Sequence, residues 1–306
     1  MNRPGFTLRQ LAYFVAVADA GTLSEAASRL HVSQPGLSQS LTDLEKRLGG
    51  QLAVRRKAHG VTLTPLGIEV LGHARDLLRR AEELEHFAGV GGEVAGTLTV
   101  GCYFTLAPTV LPPLLQGFSA EYPRANVEFV DGMQDVLQDR LMSGELDVGI
   151  AYDMDLMPEM ARETIATVRP YVLLPADHPR AADERVSIAD LVAEPQILLD
   201  APPSLHNTLA ILERFGMAPT VRHRTMSFEL TRSLVGRGLG WALLVQRPAI
   251  DRSYEGKRVV VKEIKEPVGT ARIVVVWPKT MALRRAARAF VDHCRDHPLT
   301  GDPEPA

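Results

Sequence analysis

A segment near the N-terminus, "SQPGLSQSLTDLEKRLG" beginning at Ser33, mixes apolar and uncharged polar residues at helical spacing. Four leucines recur at intervals of four, three and four residues, which predicts the buried side of an amphipathic helix. The opposite and flanking positions carry short polar side chains and one proline: Gln34, Pro35, Ser38, Gln39 and Thr42. Glutamine can bond an adenine edge through two hydrogen bonds, and serine can bond base edges or phosphates. The pattern predicts a helix end that contacts DNA.

The preceding segment, "SEAASRLHV", predicts a second short helix packed against the first. Its paired alanines, Ala26 and Ala27, allow close contact between helices. Ser33 can cap the following helix, and Pro35 suits its first turn because the missing N–H is not needed there. Two short helices joined in this way are typical of helix-turn-helix proteins, in which the N-terminal end of the second helix enters the major groove.

A candidate wing follows in "LAVRRKAHGVTLTPLG", which predicts two short strands around a turn. Arg55, Arg56 and Lys57 lie where a phosphate or a minor groove could be contacted. The alternative is an ordinary helical pair with a charged hairpin. The charge distribution favours DNA binding: residues 1–65 contain 8 Lys and Arg against 4 Asp and Glu, and the remainder contains 26 against 33. A basic head on an acidic body is expected where only the head binds a polyanion.

Length and composition limit the number of domains, the class of protein and its location. The 306 residues suffice for two or three domains, and 45% apolar with 23% charged residues is typical of a soluble protein. No apolar run approaches the roughly 20 residues of a membrane helix, and the N-terminus lacks a signal-peptide pattern. Two cysteines are too few for a disulfide framework. We therefore expect a cytoplasmic protein with no membrane partner.

The remaining chain is predicted to form a linker and two lobes. The segment "TPLGIEVLGHARDLLRRAEELEHFA" predicts one long helix with a one-sided apolar face that needs a partner, followed by the glycine-rich joint "GVGGEVAG". Strands and helices then alternate, which predicts two α/β lobes with mostly parallel sheets. The fold class is α+β overall. The expected domains are a winged helix-turn-helix (1–65), a linker or dimerisation helix and hinge (66–95), and an effector-binding domain (96–300), with lobe I at 96–168 and 269–300 and lobe II at 169–268.

The segment "AASRLHVSQPGLSQSLTDLEKRLGGQLAVRRKAHGVTLTPLG" resembles the winged helix-turn-helix of LysR-type transcriptional regulators. The segments "LMSGELDVGIAY", "PYVLLPADHP" and "LVGRGLGWALLVQRP" resemble the family's effector-binding half, which is similar in fold to type 2 periplasmic binding proteins. The resemblance implies base-facing roles for Gln34, Pro35, Ser38 and Gln39 and a wing role for Arg55. Two positions depart from the family pattern: Ala53 replaces a usual Phe, and Gln39 replaces a frequent Arg.

The resemblance also implies partners. Regulators of this kind bind double-stranded promoter DNA as homodimers or homotetramers, respond to a small-molecule inducer, and act through RNA polymerase. We expect the inducer to bind between the lobes, outside the carboxyl ends of the strands. Its closing of the lobes is expected to shift the paired DNA-binding heads.

Candidate effector contacts stand at four strand ends, at positions where similar family members place inducer contacts. They are Cys102, Phe104, Thr105, Asp131, Met133, Pro203, Ser204, Ser227 and Phe228. The hypothesis is that Thr105, Ser204 and Ser227 bind a carboxylate of the inducer while Phe104 and Phe228 enclose its apolar body. The alternative is that these Ser and Thr residues only cap helices.

No catalytic, metal or cofactor site is predicted, because no nucleophile–base set stands at a recognisable spacing. His293 and His297 are four residues apart, but "HCRDH" lacks the HExxH glutamate and predicts a solvated helix face. Cys102 could sense peroxide, yet no resolving cysteine lies nearby in sequence, so a small cleft-lining residue is the expectation. The competing interpretation is a solute-binding or catalytic α/β protein that carries an unrelated N-terminal helical domain.

Overall fold

Three helices and a hairpin form the N-terminal head. The computed structural model describes residues 4–56, 60–90 and 93–299, and for residues 55, 56, 82, 83 and 85–90 only the backbone. The head contains α1 (Leu8–Ala20), α2 (Leu23–Arg29), α3 (Gln34–Leu48), β1 (Ala53–Arg56) and β2 (Gly60–Leu63). Thr7, Thr22 and Ser33 cap the three helices through their side-chain oxygens. The predicted helix-turn-helix order is present.

The leucines of α3 are buried as their spacing predicts. Leu37, Leu41 and Leu44 pack with Phe14 of α1 and the paired alanines of α2 in one core. Each of these leucines is at most 1% exposed, and burial of each contributes about 1.5–3 kcal/mol. Leu48, in the last turn, is only partly buried. The apolar side of α3 is therefore fixed, which sets the direction of its polar side.

The long helix α4 (Pro65–Val90) belongs partly to the head. Thr64 Oγ1 accepts from the Gly67 amide at 3.0 Å and caps the helix as expected. Leu71 and Ala74 are buried in the core of the head, whereas Leu77 is exposed. Apolar side chains on the open surface of α4 are Leu66, Ile68, Leu77 and Leu84.

Lobe I is a five-stranded sheet with strand order β4-β3-β5-β13-β6. Its strands are β3 (Gly96–Tyr103), β4 (Ala125–Gly132), β5 (Val148–Tyr152), β6 (Met160–Val168) and β13 (Ala271–Pro278). Its helices are α5 (Ala107–Glu121), α6 (Gln134–Met142) and α9 (Arg285–Asp296). Phe118 of α5 and Phe290 of α9 meet edge to face at 5.2 Å in its core.

Lobe II is built on a four-stranded sheet of order β11-β7-β12-β8 and a parallel pair, β10-β9. Its strands are β7 (Tyr171–Pro175), β8 (Arg185–Val186), β9 (Gln196–Leu199), β10 (Val221–Thr225), β11 (Ala242–Leu244) and β12 (Val259–Ile264). Its helices are α7 (Ser204–Arg214), α8 (Phe228–Gly236) and the 3₁₀ turn Ile188–Leu191. A bridge between Gln196 and Trp241 brings the pair beside β11.

The fold class is confirmed, but the sheets are mixed where mostly parallel sheets were expected. In lobe I, β3 is parallel to β4 and β5, whereas β13 is antiparallel to both β5 and β6. In lobe II, β7 is antiparallel to β11 and β12. The reason is the connection between lobes: β6 carries the chain out of lobe I and β13 brings it back, so these neighbouring strands run in opposite directions.

The helix α4 docks on lobe I through arginines. Arg75 pairs with Asp19 of α1 and donates to the Ser143 carbonyl at 3.0 Å. Arg79 donates to the Gly144 carbonyl and lies 3.5 Å from Asp147. The head and lobe I are thereby joined by charged hydrogen bonds. Among the described helices, none is long and apolar enough to cross a membrane.

Candidate functional site

The polar face of α3 is open to solvent at its N-terminal end. Ser33, Gln34, Pro35 and Gln39 are exposed, and Ser38 and Thr42 are half-buried. Because the leucines hold the opposite face against α1 and α2, the polar side chains at this tip face solvent. A helix tip of this kind fits the width of a DNA major groove.

The side chains of this tip differ in whether they form hydrogen bonds within α3. Gln39 donates from Nε2 to Asp43 Oδ1 at 3.0 Å, and Thr42 donates to the Ser38 carbonyl at 3.0 Å. Within the described residues, Gln34 makes no side-chain hydrogen bond. Gln34 thus offers both a donor and an acceptor to an incoming base edge.

The predicted wing is a two-stranded antiparallel hairpin, with Ala53 opposite Leu63. The backbones of Arg55 and Arg56 lie in β1, and Lys57 lies outside the described residues. The Ala53 side chain is 2% exposed, so the small residue is closely packed where a Phe was expected from the family pattern.

Two contacts fix the wing to the helices. Glu45 Oε1, on α3, accepts from the Leu52 and Ala53 amides at 2.9 and 3.1 Å. The Val61 amide donates to the Gly21 carbonyl, between α1 and α2, at 2.7 Å. The base of the wing is therefore hydrogen-bonded both to α3 and to the turn between α1 and α2.

A small cavity of about 10 Å³ lies between the lobes, with room for about one water molecule. Its wall comes from both lobes and consists of Thr105, Tyr152, Leu199, Ser204, Thr208, Phe228, Leu243, Leu244, Val245 and Gln246. Thr105 Oγ1 is buried and makes no hydrogen bond of good geometry in the described part of the chain. A buried hydroxyl in this state is costly and indicates a position where a ligand group or a water binds.

Polar contacts across the cleft hold the lobes together. The Tyr103 hydroxyl donates to the Ala201 carbonyl at 3.1 Å, and burial raises the pKa of this phenol against smaller opposing effects of Ser204 and Thr105. His206 Nδ1 and Asp155 Oδ2 are 2.5 Å apart at the rim. The lobes touch at these contacts, and a ligand larger than a water requires them to loosen before it can occupy the 10 Å³ cavity.

The sequence also matches known families. The family model described as a bacterial regulatory helix-turn-helix protein of the lysR family matches residues 8–68, and the LysR substrate binding domain matches residues 91–298. The chain belongs to the LysR family. It is a transcriptional regulator with an N-terminal DNA-binding head and a C-terminal substrate-binding half.

Individual relatives agree with this assignment. The Escherichia coli hca operon transcriptional activator HcaR is 30% identical over 289 residues, which cover 93% of this chain and 95% of HcaR. The C-terminal domain of a probable LysR regulator from Rhodococcus sp. RHA1 is 49% identical and covers 66% of this chain and 99% of its own, with a TM-score of 0.64. A full-length OxyR variant from Pseudomonas aeruginosa is 27% identical over 95% of this chain and 98% of its own, with a TM-score of 0.74.

The structure brings together three of the predicted effector contacts of this LysR regulator. Thr105, Ser204 and Phe228 lie in the wall of the interlobe cavity. Polar wall residues that the sequence analysis missed are Tyr152, Thr208 and Gln246. Gln246 had a recognisable signal, because it is the polar residue that ends the apolar run of β11 and Val245.

The other predicted contacts lie outside the cavity wall. Asp131 and Ser227 are exposed, and Ser227 Oγ caps α8 by accepting from the Leu230 amide at 3.2 Å. Met133 and Pro203 are the residues that precede α6 and α7. Phe104 packs against the cores of both lobes. For Ser227 the helix-cap alternative describes the structure, because its hydroxyl is already engaged.

The placement of Cys102 is corrected by the structure. Its side chain is fully buried in the core of lobe I, because it points to the face of β3 that packs under α5 and α9. Burial, with a smaller effect of the Asp131 charge, raises the pKa of this thiol far above its usual range. Burial also raises the pKa of Cys294 to about 12. Neither thiol has the exposure and thiolate character that oxidation by peroxide needs.

The predicted solvated face for His293 is wrong. His293 is 5% exposed, and its Nδ1 lies 2.7 Å from Glu121 Oε2. The prediction fails because α9 packs against α5, so the side of α9 that carries His293 faces inward. His297, just after the end of α9, is exposed as expected.

Proposed function

We propose that this LysR regulator reads promoter DNA with the exposed tip of α3 and responds to a small carboxylate bound between its lobes. The observation that carries the first part is the solvent-open row of Gln34, Pro35 and Gln39 on a helix whose other face is locked in the core. Gln34 and Gln39 contact base edges in the major groove, and Ser33, Ser38 and Thr42 contact bases or phosphates. Arg55, Arg56 and Lys57 contact the backbone or minor groove from the wing.

The protein acts as a homodimer or homotetramer. The support is the open apolar surface of α4, where Leu77 is 42% and Leu84 is 68% exposed in the single chain. A helix of 26 residues with such a surface is stabilised by pairing with its counterpart in a second copy. Two-fold pairing places two heads on half-sites about one helical turn, roughly 34–36 Å, apart.

The effector is held by Thr105, Ser204 and Gln246. These side chains come from both lobes and line the same cavity, and Thr105 Oγ1 is a hydroxyl still in need of a well-placed partner. Phe228 supplies the apolar wall. Ligand entry opens the 10 Å³ cavity, so binding changes the angle between the lobes.

The protein works in the cytoplasm as a regulator without catalytic activity, and it acts on transcription through RNA polymerase. The relatives named as transcriptional regulators support this. The working units are the head (1–65), the linker (66–95) and the effector-binding domain (96–300), with lobe I at 96–168 and 269–300 and lobe II at 169–268.

DNA reading is tested by fluorescence anisotropy on the region upstream of the protein's own gene and on random DNA. Gln34→Ala is expected to weaken binding to the upstream region by about ten- to a hundredfold, because one bidentate base contact contributes about 1–3 kcal/mol. Binding to random DNA, which depends on phosphate contacts, is expected to stay unchanged. Gln116→Ala, on an exposed position of α5, is the matched control. Equal affinities of Gln34→Ala and the native protein for the upstream DNA would refute the proposal.

Effector binding is tested by thermal shift with a panel of small carboxylates. Ligands that bind the folded protein raise its melting temperature. Thr105→Val, which removes only the hydroxyl, is expected to abolish the shift without lowering the stability of the free protein, because the lost hydroxyl makes no well-formed hydrogen bond. Thr167→Val, exposed on β6, is the control. A shift that persists unchanged in Thr105→Val places the effector elsewhere.

A further inference from the structure

One cluster of metal-ligating side chains lies away from both the α3 tip and the interlobe cavity. Glu121 is the last residue of α5, His293 lies in α9, and His297 follows the end of α9. One ligand atom from each of the three residues lies within 4.8 Å of the others. Two of the three side chains are at the surface, whereas His293 is buried.

The hydrogen bonds of the cluster prepare it for a cation. His297 Nδ1 lies 3.2 Å from the His293 carbonyl, and a carbonyl oxygen can only accept, so Nδ1 carries the proton. The Nε2 of His297 is then unprotonated and has a lone pair that can bind a cation. Metal-binding histidines commonly have one ring nitrogen fixed in this way by a backbone carbonyl.

Glu121 and His293 share a single proton in a hydrogen bond, and a cation can take the place of that proton. Their Oε2 and Nδ1 atoms are 2.7 Å apart. A metal ion needs slightly more room, and Glu121 can supply it because its side chain is 44% exposed. Binding displaces the shared proton from Nδ1 to Nε2 or to solvent.

The cluster lies in a cavity wall where Gly117 lets the His293 ring pack closely against α5. A Cβ at Gly117 of α5 would lie 2.9 Å from His293 Nε2, so the absence of a side chain there permits the close packing of the ring. All three residues, together with Gly117, line a cavity of about 1040 Å³. That cavity can supply water to the remaining coordination positions. Its wall also includes Gln246 and Arg247 of lobe II.

We propose that Glu121, His293 and His297 form a binding site for a divalent transition-metal cation of the zinc type. Two imidazole nitrogens and one carboxylate oxygen are a common zinc ligand set that leaves a position open, whereas Mg²⁺ prefers oxygen ligands. The bound cation ties the end of α5 to the segment after α9. It lies in the wall of a cavity that both lobes form, and the site does not depend on the proposed effector.

The test uses the untagged full-length protein, freed of metal by chelation, and titration calorimetry with Zn²⁺ and with Mg²⁺. One Zn²⁺ per chain is expected, without comparable binding of Mg²⁺. Cobalt(II) is expected to give the visible absorption of a low-coordinate site with nitrogen ligands. Absence of Zn²⁺ binding by the native protein overturns the proposal.

Variants at the surface ligands avoid disturbing the core. His297→Ala and Glu121→Gln are each expected to weaken Zn²⁺ binding by at least about tenfold and to change the cobalt spectrum. The control is His73→Ala, which removes an exposed histidine of α4. All three variants should retain the circular dichroism spectrum of the native protein. If His297→Ala and Glu121→Gln bind Zn²⁺ as tightly as His73→Ala does, the metal lies elsewhere and the proposal is wrong.

Discussion

Asp147 is the carboxylate on which the docking of α4 depends, and its removal tests that view. Its side chain is only 3% exposed and contacts two arginines, Arg79 of α4 and Arg284 before α9, whose side chains are 18% and 8% exposed. It also accepts from the Thr99 amide at 2.9 Å and the Thr99 hydroxyl at 3.0 Å. The pKa of Arg79 is lowered chiefly by burial and also by the Arg284 charge, whereas Asp147 raises it. Without Asp147, the two guanidinium groups face each other uncompensated.

The change Asp147→Asn keeps the volume and an acceptor for Thr99 but removes the charge. Breaking a buried ion pair by neutralising one partner costs about 3–5 kcal/mol, because the other charge is left without compensation. We expect about 3 kcal/mol, the lower end, since Asn retains the Thr99 contact. Because the groups are buried, added salt is expected to change this loss little.

The free energy of unfolding is measured by urea titration of the full chain, monitoring the first transition, since a chain with several units need not unfold in one step. The matched control is Asp251→Asn, which breaks an ion pair with Arg258 whose partners are both 60% exposed, and it is expected to cost at most about 1 kcal/mol. A double-mutant cycle with Arg284→Gln isolates the pair. If Asp147→Asn costs no more than Asp251→Asn, or if the cycle shows no coupling, the docking argument fails.

Three further perturbations follow from named contacts. Gly60→Ala is expected to weaken DNA binding, because the added Cβ would lie 2.4 Å from a backbone carbonyl oxygen of the α1–α2 turn and displace the wing. The control is Gly216→Ala, at a residue with a similar φ, where the added Cβ would meet no atom within 4 Å; this variant should leave DNA binding intact. Cys102 and Cys294 are expected to resist alkylation by iodoacetamide at pH 8 in the native protein, because the pKa values of both thiols are raised. Rapid labelling, detected by mass spectrometry, would contradict this. Tyr103→Phe is expected to lower the free energy of unfolding by about 0.5–1.5 kcal/mol, because the Ala201 carbonyl loses one of two donors and keeps the Leu205 amide. An unchanged urea midpoint would show that the cleft contact is unimportant.

The head could be predicted closely because its signals are local. The spacing of Leu37, Leu41 and Leu44 fixes one face of α3, and the caps at Ser33 and Thr64 fix where helices begin. Each of these depends on residues a few positions apart. The exposure of Gln34 and Gln39 then follows from helix geometry alone.

The effector half could be predicted only in outline because its sites depend on contacts distant in sequence. Thr105 and Ser204 come from different lobes and line the same cavity. No local sequence pattern indicates that Cys102, two residues before Phe104, packs into the core of lobe I. The same limit explains His293, whose burial is decided by Glu121 and Gly117 on another helix. The strand directions in lobe I were missed because pairing of β13 with β6 joins residues about a hundred positions apart.

The contacts of α4 with lobe I limit how ligand binding in the cleft can affect the DNA-binding head. Strands β3 and β5 pair in parallel, with Thr99 and Asp147 at the α4 end and the rings of Tyr103 and Tyr152 in contact, 5.8 Å apart, at the cavity end. The hydrogen bonds and ion pairs between the described side chains of α4 and the body lead to lobe I, and they tie the head to lobe I. A ligand that opens the cleft therefore moves lobe II relative to the head of its own chain. In the proposed oligomer, we expect that movement to act on DNA through the surfaces that lobe II presents to neighbouring subunits.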